Sequence, residues 1–447
     1  MSMTTTSLQS ALQSLPDNSI EAIVDQHFSS QLLEALGFQS QEIYPQYPDG
    51  NGNKVDKAAR KTIGDDIFLS TKSNPYLLLE LKGRDVNLSS DSAQYRSTVK
   101  QLKQYLLAPN CHQTAQWGII TNSCHIQLFR KHGKVIYPAT QCLSLNRENI
   151  DEIVATMRAR IESPAKALTI AVYNNKGGVG KTTTTVNLAA ILAFLGKKVL
   201  TIDFDPNQQD LTSSLGLPLS NGAVFEALTE RGVEIQSTLH PYKFPLKKVK
   251  SELRFDVIPA DSTMVDVSEE ELRRRLKHNA LHRKLELARQ EYDYILIDSP
   301  PNWRIYSQLA VYAADVILIP TKHNNLFSLE NAAIAIKQFF PEVQNKKGDG
   351  TPIPLPIFFN GEKITPPQLA VAQQEITNIL RAAKRDGFDL LPYFYPRYTN
   401  AKKDLHIPQV PSYANIASAA FSRTPAVYRD RSAHEYYKNL AKEYFLQ

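Results

Sequence analysis

Two sets of residues have the types and spacing for chemistry on phosphate. In the run NNKGGVGKTTT, Gly177, Gly178 and Gly180 flank Val179, and Lys181, Thr182 and Thr183 follow at once. Glycines so placed let the backbone turn its N–H groups inward around phosphate oxygens. Lys181 then reaches the β- and γ-phosphates, and the Thr182 hydroxyl holds Mg2+. Asp203 and Asp205 lie in KKVLTIDFDPNQQDLT, and Asp298 in YDYILIDSPP. A single strand-end aspartate is more often a helix cap, but three beside a phosphate loop point to metal and water positioning. The second set, Asp66, Glu80 and Lys82, reads D-x13-E-x-K. Two carboxylates with a lysine can bind Mg2+ and activate water beside a scissile phosphate. Glu-x-Lys alone is ordinarily a surface ion pair.

The elements that position these residues are legible in the pattern. Residues 168–190 read strand, loop, helix, and the helix beginning near Lys181 aims its positive end at the loop. In a parallel sheet the carboxyl ends of strands line one crevice, so Asp203, Asp205 and Asp298 converge there. Toward the N-terminus, residues 19–37 have helical spacing and end on Gly37, and a polar, Gly-rich stretch covers 46–54. DDIFLSTKSNPYLLLELKG reads as two strands joined by a Ser-Asn-Pro turn. That pairing sets Asp66 next to Glu80, with Glu80 and Lys82 on one face. A helix over 92–107, strands over 117–122 and 126–131, and a charged helix over 147–162 follow. Ser163-Pro164 ends that helix. The boundary near 163–167 divides the chain into domains 1–163 and 167–447. Cys111-His112 and Cys124-His125 could suggest zinc, but strand neighbours point to opposite faces, and core cysteines are the preferred reading.

At 447 residues the chain has room for two or three domains. Its 42% apolar and 21% charged residues exclude wholesale disorder. No run approaches the ~20 apolar residues of a membrane span. The N-terminus lacks a basic region followed by an apolar core, and three cysteines make no disulfide framework, so a cytoplasmic protein is expected. Residues 1–163 carry 16 basic and 16 acidic residues, whereas 381–447 carry 11 against 6. That C-terminal excess can attract a polyanion such as DNA.

The second domain resembles the ParA/MinD family of deviant-Walker ATPases. KGGVGKTT carries the extra lysine, Lys176, of the deviant loop; DFDPNQQ, YILIDSPP, AADVILIP and FSRTPAVYRDRSAHEYYKNLAKEYF match further family segments. Asn207 stands where the family has glutamine and Asn331 where glycine is common. The resemblance implies an α/β fold, a parallel sheet flanked by helices, with ATP and Mg2+ as cofactors. It implies that Lys176 crosses a dimer interface to the partner's ATP, Asp205 orients water, Asp298 holds the metal through water, and Asn360 faces the adenine. It also implies an ATP-formed homodimer, or a filament, that binds DNA without sequence preference, and a ParB-like adaptor. The aromatic, weakly basic terminus SAHEYYKNLAKEYFLQ is expected to pack as a helix rather than anchor to a membrane. Lys402, Lys403, Arg423, Arg429 and Arg431 are the candidate DNA phosphate contacts.

The first domain resembles the PD-(D/E)xK nuclease fold, a smaller mixed α/β domain, in particular the N-terminal domain of type I restriction HsdR subunits. GDDIFLS, LLLELKG, QLKQY (Gln101, Tyr105) and WGIITNSCHIQLFR carry the likeness, and Glu21 stands where the fold often has a further acid. Gly64-Asp65 replaces the usual proline before Asp66, and Asp56 in VDKAARK is a rival ligand. The leading expectation is an ATP-dependent, DNA-binding ParA-like ATPase carrying a Mg2+-dependent endonuclease that acts on foreign DNA such as plasmid or phage. The alternative is a partition or cargo-positioning ATPase whose first domain is a non-cutting adaptor.

Overall fold

Leu77–Leu81 (β3) is buried at every residue, and a strand apolar on both faces has to lie inside a sheet. The computed structural model describes residues 6–90, 92–245, 252–399, 401–412, 416 and 418–447. It divides into two units. The first comprises residues up to Pro164 with Gly348–Gly350 and Phe445–Gln447; the second comprises Ala165–Lys347 and Thr351–Tyr444.

In the first unit one sheet runs β1 (Ile43–Pro48), β2 (Lys54–Ala59), β3, β4 (Trp117–Thr121), β5 (His125–His132) and β6 (Val135–Pro138), with β7 (Leu143–Ser144) on β5. Only β3 and β4 are parallel among these pairs. The helix Ala93–Leu106 starts where the Ser92 hydroxyl accepts the Tyr95 N–H, and it buries Thr98, Leu102, Tyr105 and Leu106. On the other sheet face Leu77, Leu79 and Leu81 join the helical segments that contain Leu8, Phe28 and Met157.

One stretch left without an element gains one here, and one sequence expectation needs correction. The polar stretch 46–54 is the end of β1, a turn and the start of β2; the turn closes on Asp49, whose Oδ1 accepts the N–H groups of Asn51 and Asn53. DDIFLSTK is not a strand: Phe68–Thr71 is a short helix that ends at Lys72 in the left-handed region. The antiparallel partner of β3 is β2, with Lys57 opposite Leu79. The charged look of KVDKAA hides this strand, although Val55, Ala58 and Ala59 are fully buried.

The second unit holds a sheet in the order β10 (His240–Pro245), β11 (Glu252–Ile258), β9 (Val199–Asp203), β12 (Tyr294–Asp298), β8 (Leu168–Val172), β13 (Val316–Leu318) and β15 (Ile353–Pro354). All but the β10–β11 pair are parallel. Asp298 lies opposite Asp203 on one side and Val172 on the other, so three strands end level with one another. β14 (Pro320–Thr321), β16 (Phe358–Gly361) and β17 (Gln409–Pro411) form a small second sheet. The helix Arg431–Tyr444 buries Tyr437, Leu440 and Tyr444, and the Tyr444 hydroxyl meets the Pro356 and Ile357 carbonyls at 2.9 and 3.1 Å. It packs, as its aromatic face requires. No helix among the described residues is long and apolar enough to cross a membrane.

Candidate functional sites

The phosphate loop follows β8 and feeds the helix Lys181–Phe194. Gly180, at φ +82°, begins that helix, and no side chain caps its first N–H groups, which leaves them to face an anion. A Cβ at Gly180 would fall 2.1 Å from Asn360 Nδ2, so only glycine fits. Lys181 is buried, and its Nζ donates to the Lys176 carbonyl at 3.2 Å. Burial lowers its pKa against the opposing pull of Asp298 and Asp205. The Thr182 hydroxyl donates to Asp298 Oδ2 at 2.6 Å. Asp298 Oδ1 is buried with no hydrogen-bond partner among the described residues, and burial, then Asp203, pushes this carboxyl upward. A buried carboxylate oxygen without a partner, beside a loop hydroxyl, is the donor set a hard divalent cation takes. ATP and Mg2+ fit this site.

The other expected residues divide. Asp205 is buried, accepts the Gln208 N–H at 3.3 Å and is raised by burial, with Lys181 pulling it back. Asp203, expected as a metal ligand, is turned the other way. Its Oδ2 accepts both the N–H (2.9 Å) and the hydroxyl (2.7 Å) of Thr212, and burial raises it to about 6. It anchors the helix Asp210–Ser214, the capping role that a strand-end aspartate more often has. Asn360, expected over the adenine, donates through Nδ2 to the Val179 and Gly180 carbonyls at 3.0 and 3.2 Å, which fastens the loop. Lys176 is half-buried, its Nζ 5.9 Å from the ring of the exposed Phe327. Gly177 and Gly178 are exposed and Val179 is buried. A cavity of about 390 Å³ adjoins Thr182 and Thr183, bounded by Val186, Asn187, Asp210 and Phe421. Lys402, Lys403, Arg423, Arg429 and Arg431 are all exposed. The two lysines precede β17, with Lys402 Nζ 3.7 Å from Asp404, while the arginines flank the turn Ala426–Tyr428.

In the first unit β2 and β3 bring together Asp56, Glu80 and Lys82. Asp56 Oδ2 accepts the Leu81 N–H at 2.7 Å. Glu80 is 1% exposed, and its Oε1 lies 2.5 Å from Lys82 Nζ, which also approaches Glu21 at 3.5 Å. Gly83 allows this approach: a Cβ there would stand 2.9 Å from the Glu21 backbone nitrogen. Glu80 Oε2 is buried without a partner among the described residues. Burial, then the Asp56 charge, raises Glu80 to about 7; burial also raises Asp56. For Lys82 burial pulls downward, but Glu80, Glu21 and Asp56 outweigh it and the pKa rises. Tyr105, whose hydroxyl accepts from Gln101 at 2.8 Å, feels the Glu80 and Asp56 charges, so this helix edge borders the cluster.

Asp66 is not in this group, which corrects its expected role. Arg60 holds it through two 2.7 Å bonds and the Thr71 hydroxyl through one of 2.8 Å, and the arginine lowers it to about 2. With Phe68–Thr71 helical, the strand register that would set Asp66 beside Glu80 does not exist. Asp56 occupies that place. Among the described residues no three His, Cys, Asp or Glu side chains are spaced to hold a metal, and in the first unit Lys82 lies against Glu80 and Glu21. Cys111 is buried in the core and the three cysteines are free thiols.

Residues 167–348 match the model of a family described as an AAA domain. The chain is similar to the sporulation initiation inhibitor protein Soj of Bacillus subtilis, 37% identical over 155 residues, 34% of this chain and 57% of that protein. It is 39% identical over 154 residues to the chromosome partitioning protein ParA of Myxococcus xanthus, 34% of this chain and 50% of that one. The ATP complex of Cyanothece McdA superposes with a TM-score of 0.47 at 20% identity, covering 62% of this chain and 96% of that one. The chain thus spans only a little over half the length of these curated relatives. Over residues 167–348 it carries a P-loop ATPase domain of the ParA/MinD family.

Proposed function

We propose that the protein is an ATP-switched partition or cargo-positioning ATPase that works on DNA in the cytoplasm. The observation that carries this reading is the preorganised pair of Lys181, held on a backbone carbonyl, and Asp298, with a buried oxygen beside Thr182. Thr182 and Asp298 would hold Mg2+, which supplies charge neutralisation for the β- and γ-phosphates. Gly177 to Thr183 bind the phosphates through backbone N–H groups and Lys181. Asp205 orients the attacking water. Lys176 Nζ lies 5.9 Å from the ring of the exposed Phe327, a position that suits a contact across a dimer formed on ATP, or a filament of such dimers. The name of the similar Myxococcus xanthus protein, a chromosome partitioning protein, supports DNA as a partner, and a ParB-like adaptor goes with that reading. Lys402, Lys403, Arg423, Arg429 and Arg431 are exposed, as phosphate contacts must be. The test is retention of sequence-unrelated DNA by the full chain with ATP against ADP. ATP-dependent retention that declines steeply with salt is expected; equal retention in both nucleotides would defeat it.

A second reading rests on the first unit: residues 1–163 form a PD-(D/E)xK-like domain that cuts foreign DNA with Mg2+. Glu80 with a buried, unpartnered Oε2, between Asp56 and Lys82, is the feature in its favour. Asp56 and Glu80 would hold the metal, and Lys82 would stabilise the phosphate charge. Plasmid incubated with the protein, ATP and Mg2+ or Mn2+ separates the readings. Nicking lost in Glu80→Ala supports the nuclease; no nicking by the parent leaves the first unit as an adaptor.

A further inference from the structure

Beside the phosphate loop lies a string of polar contacts made by residues that phosphate binding itself does not require. Tyr173, fully buried, follows β8, and its hydroxyl lies 3.3 Å from Asn175 Oδ1 and 3.4 Å from the Asn302 carbonyl. Asn175 Nδ2 lies 3.5 Å from Asn331 Oδ1, and Asn331 Nδ2 donates to the Phe327 carbonyl at 2.8 Å. Both Asn331 and Phe327 belong to the helix Leu326–Ile334, and Phe327 is the ring near Lys176. At the other end Asn302 precedes Trp303, which stacks on Phe339 at 4.5 Å and meets Tyr173 edge-on at 5.7 Å. Asn175, the residue immediately before Lys176, is therefore held from two sides. One side is the loop that leaves Asp298; the other is the helix that carries Phe327.

We propose that Tyr173 and Asn331 are positioning residues that clamp Asn175, so that displacement of the loop after Asp298 on nucleotide binding is passed to Lys176. This rests on the reading that Lys176 acts across an ATP-formed dimer. Hydrogen bonds of 3.3–3.5 Å are weak singly, so the string biases the Lys176 segment rather than locking it. Neither residue lies in the phosphate cradle, which separates the clamp's effect from nucleotide binding.

The test uses the full chain as parent, Asn331→Ala and Tyr173→Phe, substitutions that keep the helix and the ring packing. ATP affinity is measured by titration, assembly by light scattering, and loop movement by tryptophan emission, assigned to Trp303 by its loss in Trp303→Phe. ATP affinity should stay within about twofold, while the concentration for half-maximal assembly rises about fivefold, the usual worth of a hydrogen bond. The double variant should be little worse than either single one, since both cut the same string. Assembly and Trp303 response at parent values in both variants would overturn the clamp. So would a loss of ATP affinity in step with assembly, because the residues would then be ordinary packing. If the parent itself does not assemble with ATP, the interface reading of Lys176 fails, and emission alone judges the clamp: parent-like responses in both variants overturn it.

Discussion

Each unit sets a carboxylate at the end of a buried strand with a lysine near it, and the two lysines are treated in opposite ways. In the second unit Lys181 Nζ rests on a backbone carbonyl, and Asp298 and Asp205 act on it only through their charge. Nothing has to be broken before it meets a phosphate. In the first unit Lys82 closes directly on Glu80 and Glu21, which neutralises the acids and fills the space between them. A metal entering there meets a carboxylate whose Oε1 is already held by the lysine. A buried oxygen without a partner marks both sites, Asp298 Oδ1 in one and Glu80 Oε2 in the other. The difference teaches that a ready site and a self-satisfied site share the same residue types; what separates them is whether the lysine's partner is backbone or acid.

The largest effect that could break this comparison is expected from Lys181→Ala. Removing a cation that makes several charge-assisted bonds to phosphate should weaken ATP binding on the order of a hundredfold, and DNA retention with it. Calorimetric titration checks this; unchanged affinity would make the loop structural. Next comes the first unit, through Glu80→Gln and Asp56→Asn. If the first unit cuts DNA, each should abolish Mn2+-supported nicking of plasmid, with ATP hydrolysis intact, while Asp66→Asn leaves nicking unchanged. The pH dependence follows from Glu80: at about 7 its carboxyl keeps its proton in mild acid and cannot take a metal, so nicking should climb between pH 6 and 8 and level off above. Loss of nicking in Asp66→Asn, with Asp56→Asn active, would restore the other register.

A smaller effect is expected from Gly180→Ala, which would sharpen the view of the phosphate loop as preorganised. The new Cβ would strike Asn360 Nδ2 in a backbone of positive φ. Displacing that amide from the Val179 and Gly180 carbonyls, with the left-handed strain, should cost about 2–3 kcal/mol. Thermal unfolding measures it. Asn360→Ala should cost about half as much, since it removes the bonds without the strain.

How far the sequence carried depended on how local the determinants were. The phosphate loop, its helix and the strand ends at Asp203 and Asp298 were legible, because a Gly-rich turn between an apolar run and a helix is a short-range pattern. Asp56 as Glu80's neighbour was not, because strand pairing is long-range and KVDKAA alternates weakly. The Ser-Asn-Pro segment suggested a hairpin, but Phe68–Thr71 coils into a helix and leaves Asp66 for Arg60. Asp203 failed for a different reason: a strand-end acid reads alike as ligand or anchor, and only the placement of Thr212 decides between them.

That last distinction gives the smallest and most discriminating prediction, Asp203→Asn. The carboxylate accepts two bonds from Thr212, whose hydroxyl in turn accepts the Ala260 N–H at 2.9 Å. Asparagine keeps one acceptor oxygen, so part of this anchor survives, and the net loss should be about 1 kcal/mol. The sign with pH follows from the raised pKa, about 6 against 3.8 for an unperturbed aspartate. A carboxyl raised on folding lends stability that is complete below its unfolded value and lost as pH rises through about 6. The neutral asparagine has no such loss, so the gap between parent and variant should narrow from pH 5 to pH 8. Urea unfolding at both pH values measures that gap. If Asp203 is an anchor, ATP affinity and its Mg2+ dependence at neutral pH stay within about threefold of the parent, less than the worth of one charged hydrogen bond. A tenfold loss of Mg2+-dependent affinity with unchanged unfolding would instead make Asp203 a metal ligand, and the three level strand ends would then share one ion.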